Sequence, residues 1–137
     1  MSQNGNDLAS WLLQQIDADE VTALAATPNS WRVDDGAWFN EPGVSSLLIY
    51  PDHGMGAPAF AIKDRSDADH IARWDPAHVL GECNAKRRLI GLISQVDRLN
   101  TNGGTSKLLH TDLQRTMLRT LALPYAGRPG YLEEWRP

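Results

Sequence analysis

Residues 64–100, DRSDADHIARWDPAHVLGECNAKRRLIGLISQVDRLN, carry the longest helical pattern in the chain. Asp75 precedes Pro76 there, which is a helix start signal: an N-cap carboxylate accepts from the free amides of the first turn, and proline fits the first helical position. Beyond Pro76, apolar residues recur at steps of three and four and predict a helix of about 24 residues, or about 36 Å. The predicted apolar stripe contains Val79, Leu80, Cys83, Leu89, Ile90, Leu92, Ile93, Val96 and Leu99.

A shorter helix is predicted directly before this one, over residues 66–74. Ser66 is its expected N-cap, acids lie in its first turn, and Arg73 lies near its end, where the helix dipole favours a cation. Because the two helices meet at Asp75 and Pro76, we expect them to form one long, bent helical unit.

A central segment has the pattern of a small sheet. Trp31–Asp34 and Ala37–Asn40 predict a hairpin around the turn Asp35-Gly36, Val44–Tyr50 is the strongest strand, and Ala57–Lys63 completes an antiparallel meander of three or four strands. A sheet of this size cannot bury a face by itself, so we expect the long helix and its neighbours to pack against it.

Helices are also predicted near both ends of the chain. The first covers Asp7–Ala26 and directs Leu8, Trp11, Leu12, Ile16 and Leu24 toward the core. The last is capped by Ser106 and stopped by Pro124. Its expected core positions are Leu109, Leu113, Met117, Leu118 and Leu121, and its expected outward positions are His110, Gln114, Arg115 and Arg119. The tail after Pro124 is rich in aromatic residues, which predicts that it packs back on the domain.

Composition describes an ordinary globular chain, and we expect one domain over residues 1–137. The net charge of -4 is unevenly distributed, because residues 1–63 carry two cations against eight acids and residues 64–137 carry eleven against nine. Cys83 is the single cysteine and is expected to be a buried thiol rather than a nucleophile. With neither a signal peptide nor an apolar run of membrane-spanning length, the chain is expected to be cytoplasmic.

Two groupings of polar residues could carry chemistry, and each has a structural alternative that we favour. His78 and Glu82 are spaced to supply two metal ligands, but no third ligand is adjacent, so an exposed pair is expected. His70 lies in an acidic segment where a carboxylate such as Asp69 can support a general base for hydrolysis. Acids at a helix start also cap it, however, and we expect the capping role.

Tryptophans and a basic turn provide the candidate contact residues. Trp38, near the predicted hairpin tip, and Trp135, in the tail, are expected to be exposed anchors at a partner interface. Trp11, Trp31 and Trp74 belong to patterned elements and are expected in the core.

The basic turn consists of Lys86, Arg87 and Arg88, which interrupt the apolar stripe of the long helix. At least one of these cations must lie beside the buried face and either extend along the surface or pair with an acid. Together with cations of the last helix they can form a patch that binds nucleic acid, although nearby acids favour a solvated, salt-bridged face.

Three blocks of sequence resemble a family of small uncharacterised proteins of actinobacteria and their phages. They are ATPNSWR at 26–32, DHIARWDPAHVL at 69–80 running into AKRR at 85–88, and LALPYA at 121–126 with PGYLEEWRP at 129–137. Many members place cysteines and a histidine between the long and the last helix, which suggests a metal knuckle. Residues 100–107 of this chain contain neither residue type, so the resemblance implies no metal here. It does imply a phage or prophage origin.

These observations predict an α+β domain in which a small antiparallel meander packs against a long bent helix, with helices at both ends. The predicted function is that of a non-enzymatic accessory protein, without cofactor or metal, that binds a host cytoplasmic protein. Trp38, Trp135, Lys86, Arg87 and Arg88 are the predicted contact residues. The alternatives are a nucleic-acid-binding protein that uses the basic turn and the last helix, and a hydrolase centred on Asp69 and His70.

Overall fold

A computed structural model describes residues 3–26, 30–34, 47–51, 60–99 and 105–137. The elements are α1 Gln3–Ala25, β1 Trp31–Asp34, β2 Leu47–Pro51, β3 Phe60–Ile62, α2 Arg65–Arg73, α3 Pro76–Leu99 and α4 Thr105–Ala122, followed by 3-10 turns at Leu123–Tyr125 and Glu133–Trp135. Four helices and a three-stranded antiparallel sheet confirm the predicted α+β class with a small meander. The predicted strand at 37–40, its turn, and residues 44–46 lie outside the described residues.

The chain forms two compact units. The helical unit contains Met1–Ala18 and Cys83–Pro137, and the sheet unit contains Asp19–Glu82. The division falls within α1 and within α3. The expectation of one domain over residues 1–137 stays a prediction, and each unit is described by itself.

In the sheet unit, α3 begins at Pro76, as the sequence predicts. The carboxylate of Asp75 caps it, because Oδ1 accepts from the backbone N–H of His78 at 2.8 Å. The other oxygen, Oδ2, accepts from the backbone N–H of Trp31 at 2.8 Å, which ties the start of β1 to the start of α3. Asp75 is buried. Hydrogen bonds to a charged acceptor contribute about 1.5–3 kcal/mol each, so this carboxylate stabilises the sheet unit at two elements simultaneously.

The three strands pair in the order β1-β2-β3, all antiparallel. The register places Val33 opposite Ile49 on one side and Phe60 opposite Ile49 on the other. Ile49 is fully buried at this centre. Helix α2 packs on all three strands and contributes the fully buried Ala68. A residue as small as alanine permits close approach of the helix to the sheet.

Two predicted caps are wrong. Helix α2 begins at Arg65, and its N-cap is Asp64, whose side chain accepts from the backbone N–H of Asp67 at 3.0 Å. Ser66 therefore lies inside the helix, because the carboxylate two residues earlier supplies the acceptor. Helix α4 begins at Thr105, so Ser106 lies within its first turn rather than before it.

In the helical unit, the core is built from α1, α3 and α4. Its buried apolar side chains are Leu8, Leu12, Ile16, Cys83, Ile90, Ile93, Leu118, Ala122, Tyr125 and Trp135. The thiol of Cys83 is buried, as expected, and donates to the carbonyl of Ile16 at 3.6 Å. Leu24, on the part of α1 that belongs to the sheet unit, was expected in the core but is 66% exposed.

The C-terminal tail packs on Trp11, which confirms the prediction made from its aromatic content. The ring of Trp11 lies 5.7 Å from that of Tyr131 and 5.4 Å from that of Trp135, measured between centroids. Its indole Nε1 also donates to the carbonyl of Pro129 at 3.3 Å. Gly130 has a φ of 88°, and a Cβ there would stand 2.8 Å from Trp11 Nε1. Only glycine fits this turn without strain.

We expect Asp75→Ala to lower the free energy of unfolding by about 2–4 kcal/mol, since it removes a helix cap and leaves the Trp31 amide without its acceptor. Asp64→Ala is the matched control, because it removes an exposed cap with one hydrogen bond and should cost only about 1 kcal/mol. Chemical denaturation followed by circular dichroism measures both. Equal losses for the two variants would show that the Asp75 bridge contributes nothing beyond a cap.

Gly130→Ala should lower the free energy of unfolding by about 1–3 kcal/mol, because a non-glycine residue is strained at positive φ and its Cβ displaces Trp11. Gly127→Ala is the control: among the described residues, no heavy atom lies within 4 Å of a Cβ added there. Denaturation followed by tryptophan fluorescence reports both stability and the packing around Trp11. A Gly130→Ala protein as stable as the control would contradict the proposed steric role.

Candidate protein-binding surface

Of the two tryptophans predicted as exposed anchors, the structure describes one. Trp38 lies outside the described residues. Trp135 is 4% exposed, so the expectation of an exposed anchor is wrong for it. Its ring packs on Trp11 and stands edge-on to Tyr131 at 5.8 Å, which makes it part of the core of the helical unit.

The basic turn is largely occupied with contacts inside the helical unit. Lys86 donates to the hydroxyl of Tyr125 at 3.0 Å, and its Nζ lies 5.2 Å from the centre of that ring. Arg87 pairs with Asp17 at 2.7 Å. These contacts confirm that a cation beside the buried face finds a partner. Arg88 is exposed, and it is the member of the turn best placed to meet another molecule.

The histidine and acid groupings lie at the surface of the sheet unit, and both of their acids have a charged or titratable neighbour. His78 Nε2 lies 3.8 Å from Glu82 Oε1, and Asp69 pairs with Arg65 at 3.0 Å. Asp69 and His70 both lie at the surface, so no cleft of the described structure gathers them for hydrolysis. Within the ranges that the structure describes, no three histidine, cysteine or acidic side chains are grouped to hold a metal ion.

The tail contains a further ion pair at the surface. Arg136 donates to Glu133 from both Nε and Nη2, at 2.9 and 3.0 Å. These hydrogen bonds, and then the charge of the guanidinium, hold the pKa of Glu133 below its ordinary value. Both side chains are exposed and three residues apart, so the pair fixes the local turn.

An apolar groove, which the helical period did not predict, lies between α3 and α4 in the helical unit. Its volume is about 390 Å³, within the range of ligand pockets. It is lined by Leu89, Leu92, Ile93 and Val96 from α3 and by Thr116, Met117, Thr120 and Leu121 from α4. Leu89 and Leu92 were expected in the core, but they are 47% and 48% exposed.

Helix α4 matches the predicted faces only in part, since Leu118 is buried and Arg115 is exposed as expected. Leu109 and Leu113 are exposed, whereas Gln114, expected to face outward, is buried and donates to the carbonyl of Ile93 at 2.6 Å. That hydrogen bond satisfies the amide in the core, which lets the helix bury Gln114 and present leucines outside. Because Leu109, Leu113 and Met117 are spaced by four, they lie on one side of α4 and extend the apolar surface beyond the groove.

The polar atoms that line the groove are turned away from it. Thr116 donates its hydroxyl to the carbonyl of Asp112 at 2.9 Å, and Thr120 donates to that of Thr116 at 2.8 Å. Both hydroxyls are therefore satisfied by their own helix. An occupant of the groove meets mainly methyl groups and aliphatic chains, so the recognition that it offers is apolar.

Charge differs strongly between the two units. The helical unit contains nine cations and six acids, a balance of +3, and the sheet unit contains four cations and eleven acids, a balance of -7. Beside the groove, Arg88 is exposed and lies four residues before Leu92, so it neighbours that leucine on the surface of α3. The groove thus combines an apolar lining with a cation beside it.

Comparison with known proteins gives a family but no function. No curated protein and no solved structure matches the chain. In the described residues, no helix is both long and apolar enough to cross a membrane. A family model matches residues 5–137, nearly the whole chain. The chain therefore belongs to the family of unknown function DUF6221.

Proposed function

We propose that this chain is a non-enzymatic protein-binding module, and that its α3–α4 groove receives an amphipathic helix of a partner protein. The observation that carries the proposal is the exposure of Leu89 and Leu92 on the groove and of Leu109 and Leu113 beside it. Contiguous exposed apolar surface is uncommon on soluble monomers and marks sites of interaction.

The shape and chemistry of the groove favour a helix over a small polar ligand. The groove runs between two helices, and a third helix fits such a depression by placing apolar residues at steps of three and four into it. The satisfied hydroxyls of Thr116 and Thr120 offer little to a ligand that needs hydrogen bonds. An apolar helix face requires none.

The charge beside the groove indicates the polar side of that partner helix. Arg88 is exposed next to Leu92, and the helical unit as a whole carries +3. Acidic residues flanking the apolar face of the partner would complement this charge and accelerate association. Since Lys86 and Arg87 have partners inside the unit, the basic turn offers fewer free cations to a nucleic-acid backbone than the sequence suggested.

The biological setting belongs to the same proposal. The resemblance of the three sequence blocks to proteins of actinobacteria and their phages supports a phage- or prophage-derived accessory protein. Such a protein would act in the cytoplasm by binding a host protein. The amphipathic helix would then belong to that host protein.

Leu92→Glu tests the groove, because it places a charge on the apolar lining while changing a half-exposed position that tolerates glutamate in a helix. We expect at least about tenfold weaker binding of the partner, since burying a leucine contributes about 1.5–3 kcal/mol. The partner is identified by affinity capture from an actinobacterial host lysate with quantitative mass spectrometry, and its affinity is then measured with purified proteins by calorimetry.

Leu24→Glu is the matched control, because Leu24 is an exposed helical leucine that does not line the groove. A groove-dependent partner is retained by this control and lost with Leu92→Glu, while circular dichroism shows both variants folded. Equal capture by both variants would contradict the proposal. Retention of nucleic acid that falls steeply with salt and is indifferent to Leu92→Glu would favour the alternative function.

A further inference from the structure

A second exposed surface lies in the sheet unit, at the junction of α2 and α3. Trp74 was expected in the core, but its side chain is 52% exposed. Its ring is flanked by those of two histidines, with the centroid of His78 at 4.7 Å in an edge-on arrangement and that of His70 at 6.3 Å. Both histidines are exposed as well. Three rings thus form a continuous aromatic strip on the surface.

Acidic residues stand at both ends of this strip. His70, Trp74, His78 and Glu82 follow one another at steps of four, and Asp67 lies one helical turn before His70. Asp67 is exposed, and Glu82 is half-buried with a carboxylate oxygen 3.8 Å from His78. The aromatic strip is therefore bounded by carboxylates, and it belongs to a unit whose balance is -7.

Two cations lie near the strip, but the surface around it remains acidic. Arg65 pairs with Asp69 at 3.0 Å, so its charge is offset locally. Arg73 is exposed and lies three residues after His70, so it neighbours that ring on the surface of α2. Residues 64–82 nevertheless contain five acids against two cations, so the local charge balance stays acidic.

We propose that the aromatic strip around Trp74 binds a basic segment of a protein, with an arginine side chain placed over the indole ring. Tryptophan is the strongest of the aromatic side chains in cation–π contacts, and arginine is the cation most often found there. Carboxylates at the two ends supply partners for further cations of the same segment. The acidic surroundings of the strip favour a basic segment. The exposed indole of Trp74 provides the surface that this segment would cover.

The position of Trp74 follows from the way in which the junction of α2 and α3 is built. The backbone at the junction is fixed by Asp75, which caps α3 and binds the Trp31 amide, so the position of Trp74 follows from a buried anchor. Its indole is held outward beside two imidazole rings instead of entering the core. This surface involves none of the residues that line the α3–α4 groove, so it stands independently of the function proposed above.

The test uses the full-length protein and three synthetic octapeptides in which glycine alternates with arginine, lysine or glutamate. Binding is followed by ¹⁵N–¹H spectra of the five tryptophan indoles, with Trp74 assigned by its absence in Trp74→Phe. The arginine peptide should give a saturable shift of the Trp74 signal, with the lysine peptide weaker and the glutamate peptide inactive. Trp74→Ala should weaken the arginine peptide about three- to tenfold, as measured by calorimetry.

Two further variants test whether the residues of the strip contribute to peptide binding. Asp67→Asn should weaken binding about twofold or more, because it removes one bounding carboxylate without changing the size of the side chain. Val21→Ala, at an exposed position of the same unit outside the strip, should leave binding unchanged. Circular dichroism confirms that each variant is folded.

Three outcomes would overturn the proposal. One is the absence of any Trp74 shift with the arginine peptide at millimolar concentration. Another is an equal response to the glutamate peptide, which would indicate apolar contact without charge selection. The third is a Trp74 shift that depends on protein concentration alone, which would assign the surface to a second copy of this chain. A full response retained in Leu92→Glu would further show that the groove does not contribute.

Discussion

The carboxylate of Asp75 determines how the sheet unit is built. A single buried side chain accepts from the first turn of α3 and from Trp31, the first residue of β1, which lies 44 positions before Asp75 in the chain. A buried carboxylate is costly unless both of its oxygens are satisfied, and here each has a backbone donor at 2.8 Å. The junction between α2 and α3 is thereby fixed in place, which sets where Trp74, His70 and His78 emerge at the surface.

In the helical unit, aromatic packing fixes distant segments of the chain against each other. Trp11 on α1 holds the tail through ring contacts with Tyr131 and Trp135 and through a hydrogen bond to Pro129. Lys86 extends over Tyr125, and Arg128 approaches the same ring within 4.7 Å of its centre. The tail thus covers one part of the unit with aromatic side chains and cations. Lys86 takes part in this packing and Arg87 pairs with Asp17 of α1, so two of the three cations of the basic turn are occupied within the helical unit.

How far the sequence could predict this arrangement depends on how local each signal is. The start of α3 followed from Asp75 and Pro76, because a cap and a first-turn proline act within a few residues. The α+β class followed from the change of hydrophobic period between the strands and helices. In contrast, the second bond of Asp75 joins residues distant in sequence, and no local pattern reports it.

The exposure of individual side chains was the least predictable feature, for a reason visible in α3 and α4. Both helices carry apolar residues around more than one face, so periodicity identifies a helix without identifying which face its neighbours cover. Ile90 and Ile93 are buried while Leu89 and Leu92 are half exposed, although all four fit the same stripe. Trp135 was expected to be exposed but is buried, and Trp74 was expected to be buried but is exposed. The burial of an aromatic ring depends on partners that are distant in sequence, such as Trp11 for Trp135. Gln114 is buried and its amide donates to the carbonyl of Ile93, whereas Leu113, its neighbour in the chain, is 56% exposed. Both placements depend on which side of α4 meets α3, and the helical period alone does not contain that information.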